Sequence, residues 1–246
     1  MNPALDALLK SQPALWRGRD RYNEAESVAT GFDELDEALP FRGWSVGGVT
    51  ELLLEQQGIG ELSLLLPALC QLTSDGQWAA CINPPHVPYA PALSNAGIRL
   101  DRLLIINSKT DANTLWATEQ VLRTGLFAAV IAWVTRSAAQ KQRRLQLAAE
   151  VGKTWATVYR PAIAKNEHSP VSTRIVVGIS KRQLSLDIIK ARGGNQQTIT
   201  INPARFDQPQ GAEWPVMATG ETSPPGDSAC KITTGKTVHS RINPII

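Results

Sequence analysis

The residues whose types could do chemistry gather first in the loop Glu55-Gln56-Gln57-Gly58-Ile59-Gly60-Glu61-Leu62. It joins an apolar run, 49–54, to a leucine-rich stretch. A phosphate-binding loop in that setting reads G-x-x-x-x-G-K-[ST]. Its glycines let backbone N–H groups surround the phosphates, its lysine neutralises the β/γ charge, and its hydroxyl holds Mg²⁺. With Gly60 as the second glycine, Glu55 stands at the first, Glu61 at the lysine and Leu62 at the hydroxyl. A carboxylate there reverses the charge that faces a triphosphate. Two unit charges about 4 Å apart interact by about 4 kcal/mol at an effective dielectric of about 20. The reversal therefore opposes binding by several kcal/mol. Moving the frame to Gly58 places Ile59 at the lysine position.

Two other triplets, Gly152-Lys153-Thr154 and Gly235-Lys236-Thr237, contain the right letters but lack the upstream glycine. Leu147 and Cys230 occupy those positions. The first follows a helical pattern instead of opening one. His86, His168 and His239 are scattered through loops and tail, with no nucleophile–base order. Cys70, Cys81 and Cys230 make no C-x-x-C, so we expect no metal site and no disulfide framework. The N-terminus has no basic segment followed by an apolar one, and no apolar run approaches the ~20 residues of a membrane span. A cytoplasmic protein without cofactor is expected. Net charge is +3, too small to argue for nucleic acid by itself.

The elements that must hold these residues follow from periodicity and punctuation. Residues 3–11 can form a short amphipathic helix, and a polar linker runs to about residue 27. Thr30 is expected to cap a short helix carrying Leu35 and Leu39. Strand 49–54 and a helix over 61–72 flank the loop. Further strands are expected at 78–82, 103–106, 127–134 and 155–159. Helices are expected at 92–96, ending at Gly97, at 111–124, ending at Gly125, and at 138–151, ending at Gly152. Asp111 is the expected cap of the second, with Leu115, Trp116 and Leu122 on its apolar side. Runs at 174–180, 184–192 and 198–201 suggest antiparallel strands, with a turn at Gly193-Gly194-Asn195. Alternating strands and helices followed by antiparallel strands give an α/β sandwich with a mostly parallel central sheet and helices on both faces. Residues 206–246, rich in Pro, Gly, Ser and Thr, read as a disordered tail.

The stretch Thr30-Gly31-Phe32-Asp33-Glu34-Leu35-Asp36-Glu37-Ala38-Leu39 resembles the segment that leads RecA-family chains into their first core strand. The similarity continues through Arg123-Thr124-Gly125 and covers about residues 28–202. Thr50-Glu51-Leu52-Leu53, Gly58-Ile59-Gly60-Glu61-Leu62, the run from Pro84 to Leu93, and Leu115-Trp116-Ala117-Thr118-Glu119-Gln120 are more specific. They resemble the SulA/ImuA family, and its ImuA branch in particular. The resemblance implies a RecA-like three-layer sandwich over 28–205. It places the metal-orienting aspartate on Trp133 and the water-activating carboxylate on Pro85. Gly58, Gly60, Glu61, Pro85 and Trp133 would then mark a degenerate nucleotide site, with no enzymatic activity.

As implied by the resemblance, the ImuA branch acts in SOS-induced DNA damage tolerance. Its members are non-catalytic accessories of translesion synthesis, in contact with ImuB, an error-prone polymerase and RecA. The alternative is a SulA-like inhibitor of cell division that binds FtsZ. RecA-type DNA loops look reduced, since loop 161–173 has no aromatic residue to stack on bases. Direct DNA binding stays open. Arg136, Lys141, Arg143 and Arg144 read either as a solvated helix face or as a contact for an acidic partner or phosphates. Trp16, flanked by Arg17 and Arg19, is a candidate interaction motif. Trp78, Trp116, Trp133 and Trp155 fall on strands or helices, where core packing is the default.

Overall fold

The computed structural model describes residues 26–202 apart from Arg182. The expected N-terminal helix, Trp16, Arg17 and Arg19, and everything past Asn202 lie outside the described residues.

Two short strands, β1 (Ser27–Val28) and β2 (Trp44–Ser45), pair antiparallel around helix α1 (Asp33–Ala38). Strand β3 (Val49–Leu54) follows, then a 3-10 turn (Glu61–Leu64) and α2 (Leu66–Ser74). Next come β4 (Trp78–Ile82), α3 (Ala90–Asn95), β5 (Leu103–Ile106) and α4 (Asp111–Thr124). Then follow β6 (Phe127–Trp133), α5 (Ala139–Gly152), β7 (Trp155–Pro161), β8 (Thr173–Ser180), β9 (Gln183–Ala191) and β10 (Gln197–Ile201). Eight strands form one sheet in the order β10-β9-β8-β3-β7-β6-β4-β5. Every neighbour pair from β8 to β5 is parallel, and β9 runs antiparallel to both β8 and β10. The expected mixed α/β architecture is therefore present.

Strand β3 lies between β7 and β8, and all six of its residues are buried. A near-continuous apolar run is what a strand covered on both faces requires. On one face Leu52, Leu54, Ile131 and Trp155 pack with Leu35 of α1, Leu69 of α2 and Leu93 of α3. On the other, Val49, Val130, Ala132 and Val158 pack with Leu115 and Leu122 of α4 and Leu145 of α5. Trp44 stacks on Trp155 with centroids 5.6 Å apart and planes 9° from parallel, which anchors β2 to the sheet.

Several sequence expectations are corrected. Thr30 does not cap α1. Phe32 holds that position, while the Thr30 hydroxyl accepts from Phe32 N–H and Asp36 reaches back to accept Thr30 N–H. The helix expected over 61–72 breaks at Leu65, because Pro67 has no N–H for the carbonyl of Ser63. Asp111 does not cap α4. Thr110 does, accepting from Asn113 N–H, and the Asp111 carboxylate instead accepts the N–H groups of Thr135 and Arg136 at the exit of β6. Trp116 is 63 % exposed and Trp78 is 40 % exposed, so neither is a core residue. Trp116 follows Leu115 by about 100° around the helix, enough to carry it off the buried stripe. Trp78 opens β4, ahead of the covered part of the sheet.

Candidate functional site

The loop after β3 turns twice through left-handed glycines, with φ 76° at Gly58 and 85° at Gly60. Only glycine adopts such angles without strain. The turn aims Glu61 back into its own loop. Its Oε1 accepts the backbone N–H of Gly58 at 3.3 Å, and the side chain is almost fully buried. Backbone N–H groups in such a loop form a concavity suited to an anion. Here the anion at that N–H is the chain's own carboxylate.

Tyr159, near the end of β7, closes the other side. Its hydroxyl donates to the Glu61 carbonyl at 2.8 Å, and its ring stacks on Trp133 at 5.0 Å between centroids. Burial, then the nearby Glu61 and Cys81, raise the Tyr159 hydroxyl well above its ordinary pKa, so it stays a donor. Burial likewise pushes the Cys81 thiol up to about 12. Trp133 keeps its indole Nε1 buried and without a hydrogen-bond partner among the described residues.

Two cavities meet at Trp133 and Pro85. One, of about 230 Å³, opens at the carboxyl ends of β3, β4, β6 and β7 between Leu54, Asn83, Trp133 and Arg160. That is where open parallel sheets place ligand sites. The other, of about 260 Å³, lies under the loop from Pro84 to Tyr89 and is lined largely by apolar groups, with Glu61 at its wall. Glu61, Pro85 and Trp133 thus face one cavity, and Gly58 and Gly60 shape the turn beside it.

A second cluster was not singled out in the sequence. Glu51, in the middle of β3, is fully buried between two arginines. Its Oε1 accepts from Arg160 Nη1 at 3.1 Å and its Oε2 from Arg174 Nε at 2.7 Å. Arg160 also pairs with Glu167 at 2.7 Å. Arg174 donates to the carbonyls of Ala164, Lys165 and Glu167. The network fastens the 3-10 turn Ala162–Asn166 against β3, β7 and β8. The signal was available: one charged residue stands in each of three otherwise uncharged strand runs, two basic and one acidic.

The basic candidates lie on the outer helical layer. Arg136, Lys141, Arg143 and Arg144 are all exposed. Arg144 donates to Glu119 of α4 at 2.7 Å, and Arg123 reaches the same carboxylate at 3.1 Å. Arg144 is therefore tied to the α4–α5 packing, whereas Lys141 and Arg143 make no ion pair among the described residues.

A family model described as "Cell division inhibitor SulA" matches residues 47–156. That segment holds β3 to α5 and the start of β7, and so Glu51, Glu61, Pro85 and Trp133. Cell division inhibitor SulA of Serratia marcescens is 27 % identical over 115 residues, which are 47 % of this chain and 68 % of that protein. The protein of the same name from Klebsiella aerogenes is 32 % identical over 119 residues, 48 % of this chain and 70 % of that protein. The chain belongs to the SulA family. The crystal structure of SulA from Pseudomonas aeruginosa is 27 % identical, covering 46 % of this chain and 97 % of that one, with a TM-score of 0.40. The SulA match leaves out α1, β8, β9 and β10, both arginine partners of Glu51, Arg160 and Arg174, and the Glu167 that pairs with Arg160. Among the described residues no helix is long and apolar enough to cross a membrane.

Proposed function

We propose that this chain is a non-enzymatic inhibitor of cell division that acts by binding FtsZ, on a RecA-like scaffold whose nucleotide site has been given over to packing. The observation that carries the reading is Glu61. Where a nucleotide-binding loop would aim an ammonium at phosphates, its carboxylate accepts the loop's own Gly58 N–H. Two further features support it. The curated relatives are named as cell division inhibitors. Trp133 and Tyr159 stack where the resemblance puts the metal-orienting carboxylate. The sheet order and its two helical layers support the RecA-like scaffold.

The deciding experiment is sedimentation of FtsZ polymers with and without the chain. Loss of polymer at near-equimolar chain is expected, and unchanged polymer at excess chain would reject FtsZ as the partner. Titration calorimetry with Mg-ATP is expected to show no saturable heat in the micromolar range. The double variant Glu61→Lys/Leu62→Thr is expected to stay silent as well, because Trp133 and Pro85 still line the cavity. Micromolar ATP binding by the unaltered chain would overturn the loss of the nucleotide site, and binding by the double variant alone would place that loss in Glu61 and Leu62 and not in Trp133 and Pro85.

A second reading is favoured by what lies outside the SulA match. Phe32, Leu35 and Leu39 enter the core, and β8 lies directly beside β3. These parts, with the ImuA-like runs, support an accessory role in SOS-linked translesion synthesis through ImuB, the error-prone polymerase and RecA. Pull-down of those three proteins by the chain, with no effect on FtsZ, is the result expected of that reading.

A further inference from the structure

Helices α4 and α5 are in backbone contact at their carboxyl ends and leave a groove nearer their amino ends. A Cβ on Gly152 would stand 1.9 Å from the carbonyl of Leu122. Toward the other end, Ala112, Trp116, Lys141 and Arg144 line a shallow groove floored by Leu115 and Glu119. Trp116 is 63 % exposed on a helix whose inner face is otherwise well packed. Leu147 and Val151 continue the outward face of α5 at three and seven residues from Arg144, a spacing that keeps them on one stripe. They are 47 % and 76 % exposed.

Cations are in slight excess on this layer, with Arg123, Lys141, Arg143 and Arg144 against Asp111, Glu119 and Glu150. The Glu119 carboxylate is buried and occupied by Arg123 and Arg144. Asp111 is occupied by the backbone of Thr135 and Arg136. Glu150 accepts from Gln146. Lys141 and Arg143 remain exposed and make no ion pair among the described residues. An aromatic ring and two aliphatic side chains thus lie on the same helix pair as two cations that no carboxylate pairs among the described residues.

We propose that the α4–α5 face is a docking surface for an acidic, amphipathic segment of a partner protein. Its apolar side chains would cover Trp116, Leu147 and Val151, and its carboxylates would meet Lys141 and Arg143. Nucleic acid fits less well. Phosphates would answer the cations, and a base could stack on Trp116, but nothing in a sugar–phosphate backbone covers the aliphatic stripe. A peptide answers both, by the apolar anchoring and charge matching common at helical grooves. The surface lies on the opposite side of the sheet from the Glu61 cavity. It goes beyond the division-inhibitor reading and does not depend on FtsZ being the partner.

The test is a peptide-display selection on the immobilised full chain, followed by fluorescence polarisation with the most enriched peptide. Enriched sequences are expected to combine Asp or Glu with Leu, Phe or Trp. Their binding is expected to weaken as salt rises, and by about tenfold in Trp116→Ala and in Lys141→Glu/Arg143→Glu. Tyr89→Ala, on the far side of the sheet, should leave it unchanged. Thermal melts of each variant separate lost binding from lost fold. No enrichment, enrichment of non-acidic peptides, or binding indifferent to both α4–α5 variants would overturn the proposal. So would a single-stranded oligonucleotide that binds and is lost in the same variants while the peptide is not.

Discussion

Glu51→Ala is expected to lower the unfolding free energy by about 3–5 kcal/mol, a large fraction of what a domain of this size possesses. The reason is asymmetric. In the folded chain one carboxylate is shared by Arg160 and Arg174, and all three side chains are shut away from water. Removing the carboxylate leaves two guanidinium groups in the same place with less charge to face. Arg174 keeps three backbone carbonyls and Arg160 keeps Glu167, so their N–H groups are not all stranded. The net charge is what goes uncompensated. Glu167→Gln is the matched control. Its side chain is 51 % exposed, so solvent screens the pair it makes with Arg160. A loss of about 0.5–1 kcal/mol is expected there. Urea unfolding of both variants measures the difference, and limited proteolysis reports whether the turn over 162–166 opens first. A cost below about 1 kcal/mol for Glu51→Ala, against the usual range for breaking a buried pair, would mean that the network does not hold the turn in place.

The parts of the fold legible in the sequence are those written as period and punctuation. Strand 49–54 is readable because a buried parallel strand is largely apolar, here at four of its six positions. The helices ending at Gly97 and Gly125 were readable because both glycines take positive φ there, at 93° and 64°. What stayed hidden depends on partners distant in sequence. Asp111 has the right residue type and place for a cap, and only the neighbouring β6 exit, 24 residues on, shows that its oxygens are engaged elsewhere. Glu51 gave a charge in a strand but not the two arginines, each more than 100 residues away. Glu61 was legible as a reversed charge. Its use as an internal anion for Gly58, and the Tyr159 bond that fixes its carbonyl, needed the turn geometry and a strand almost 100 residues away. Trp116 is exposed despite its helical position, because membership of a helix says nothing of which side faces out until the neighbouring helix is in place.

Gly152→Ala and Lys153→Gly, adjacent substitutions in a triplet that imitates a phosphate-binding motif, are expected to act with opposite sign. Gly152 is the last residue of α5 and lies against α4. The missing side chain is what lets the two helices come within backbone contact, since a methyl there would stand 1.9 Å from the Leu122 carbonyl. Backbone cannot swing aside as a flexible side chain can, so α4 and α5 must separate and loosen the layer around Leu122 and Leu145. A loss of about 3 kcal/mol is expected, at the upper end of overpacking costs. Lys153 is different. It takes the left-handed conformation, with φ 47°, that reverses the chain into β7. A side chain pays about 1–2 kcal/mol for that conformation and glycine does not. Glycine also has more freedom to lose on folding, which offsets part of the gain. A net stabilisation of about 0.5 kcal/mol is expected from Lys153→Gly. Thr154 completes the junction by donating its hydroxyl to the Phe127 carbonyl at 2.8 Å, which links the start of β7 to the start of β6. Each residue of the triplet thus has a structural task at a helix-to-strand turn. Denaturant midpoints for the two variants test the account. A neutral Gly152→Ala would show that α4 and α5 can part without loss, and a destabilising Lys153→Gly would show that the lysine side chain contributes more than its backbone strain costs.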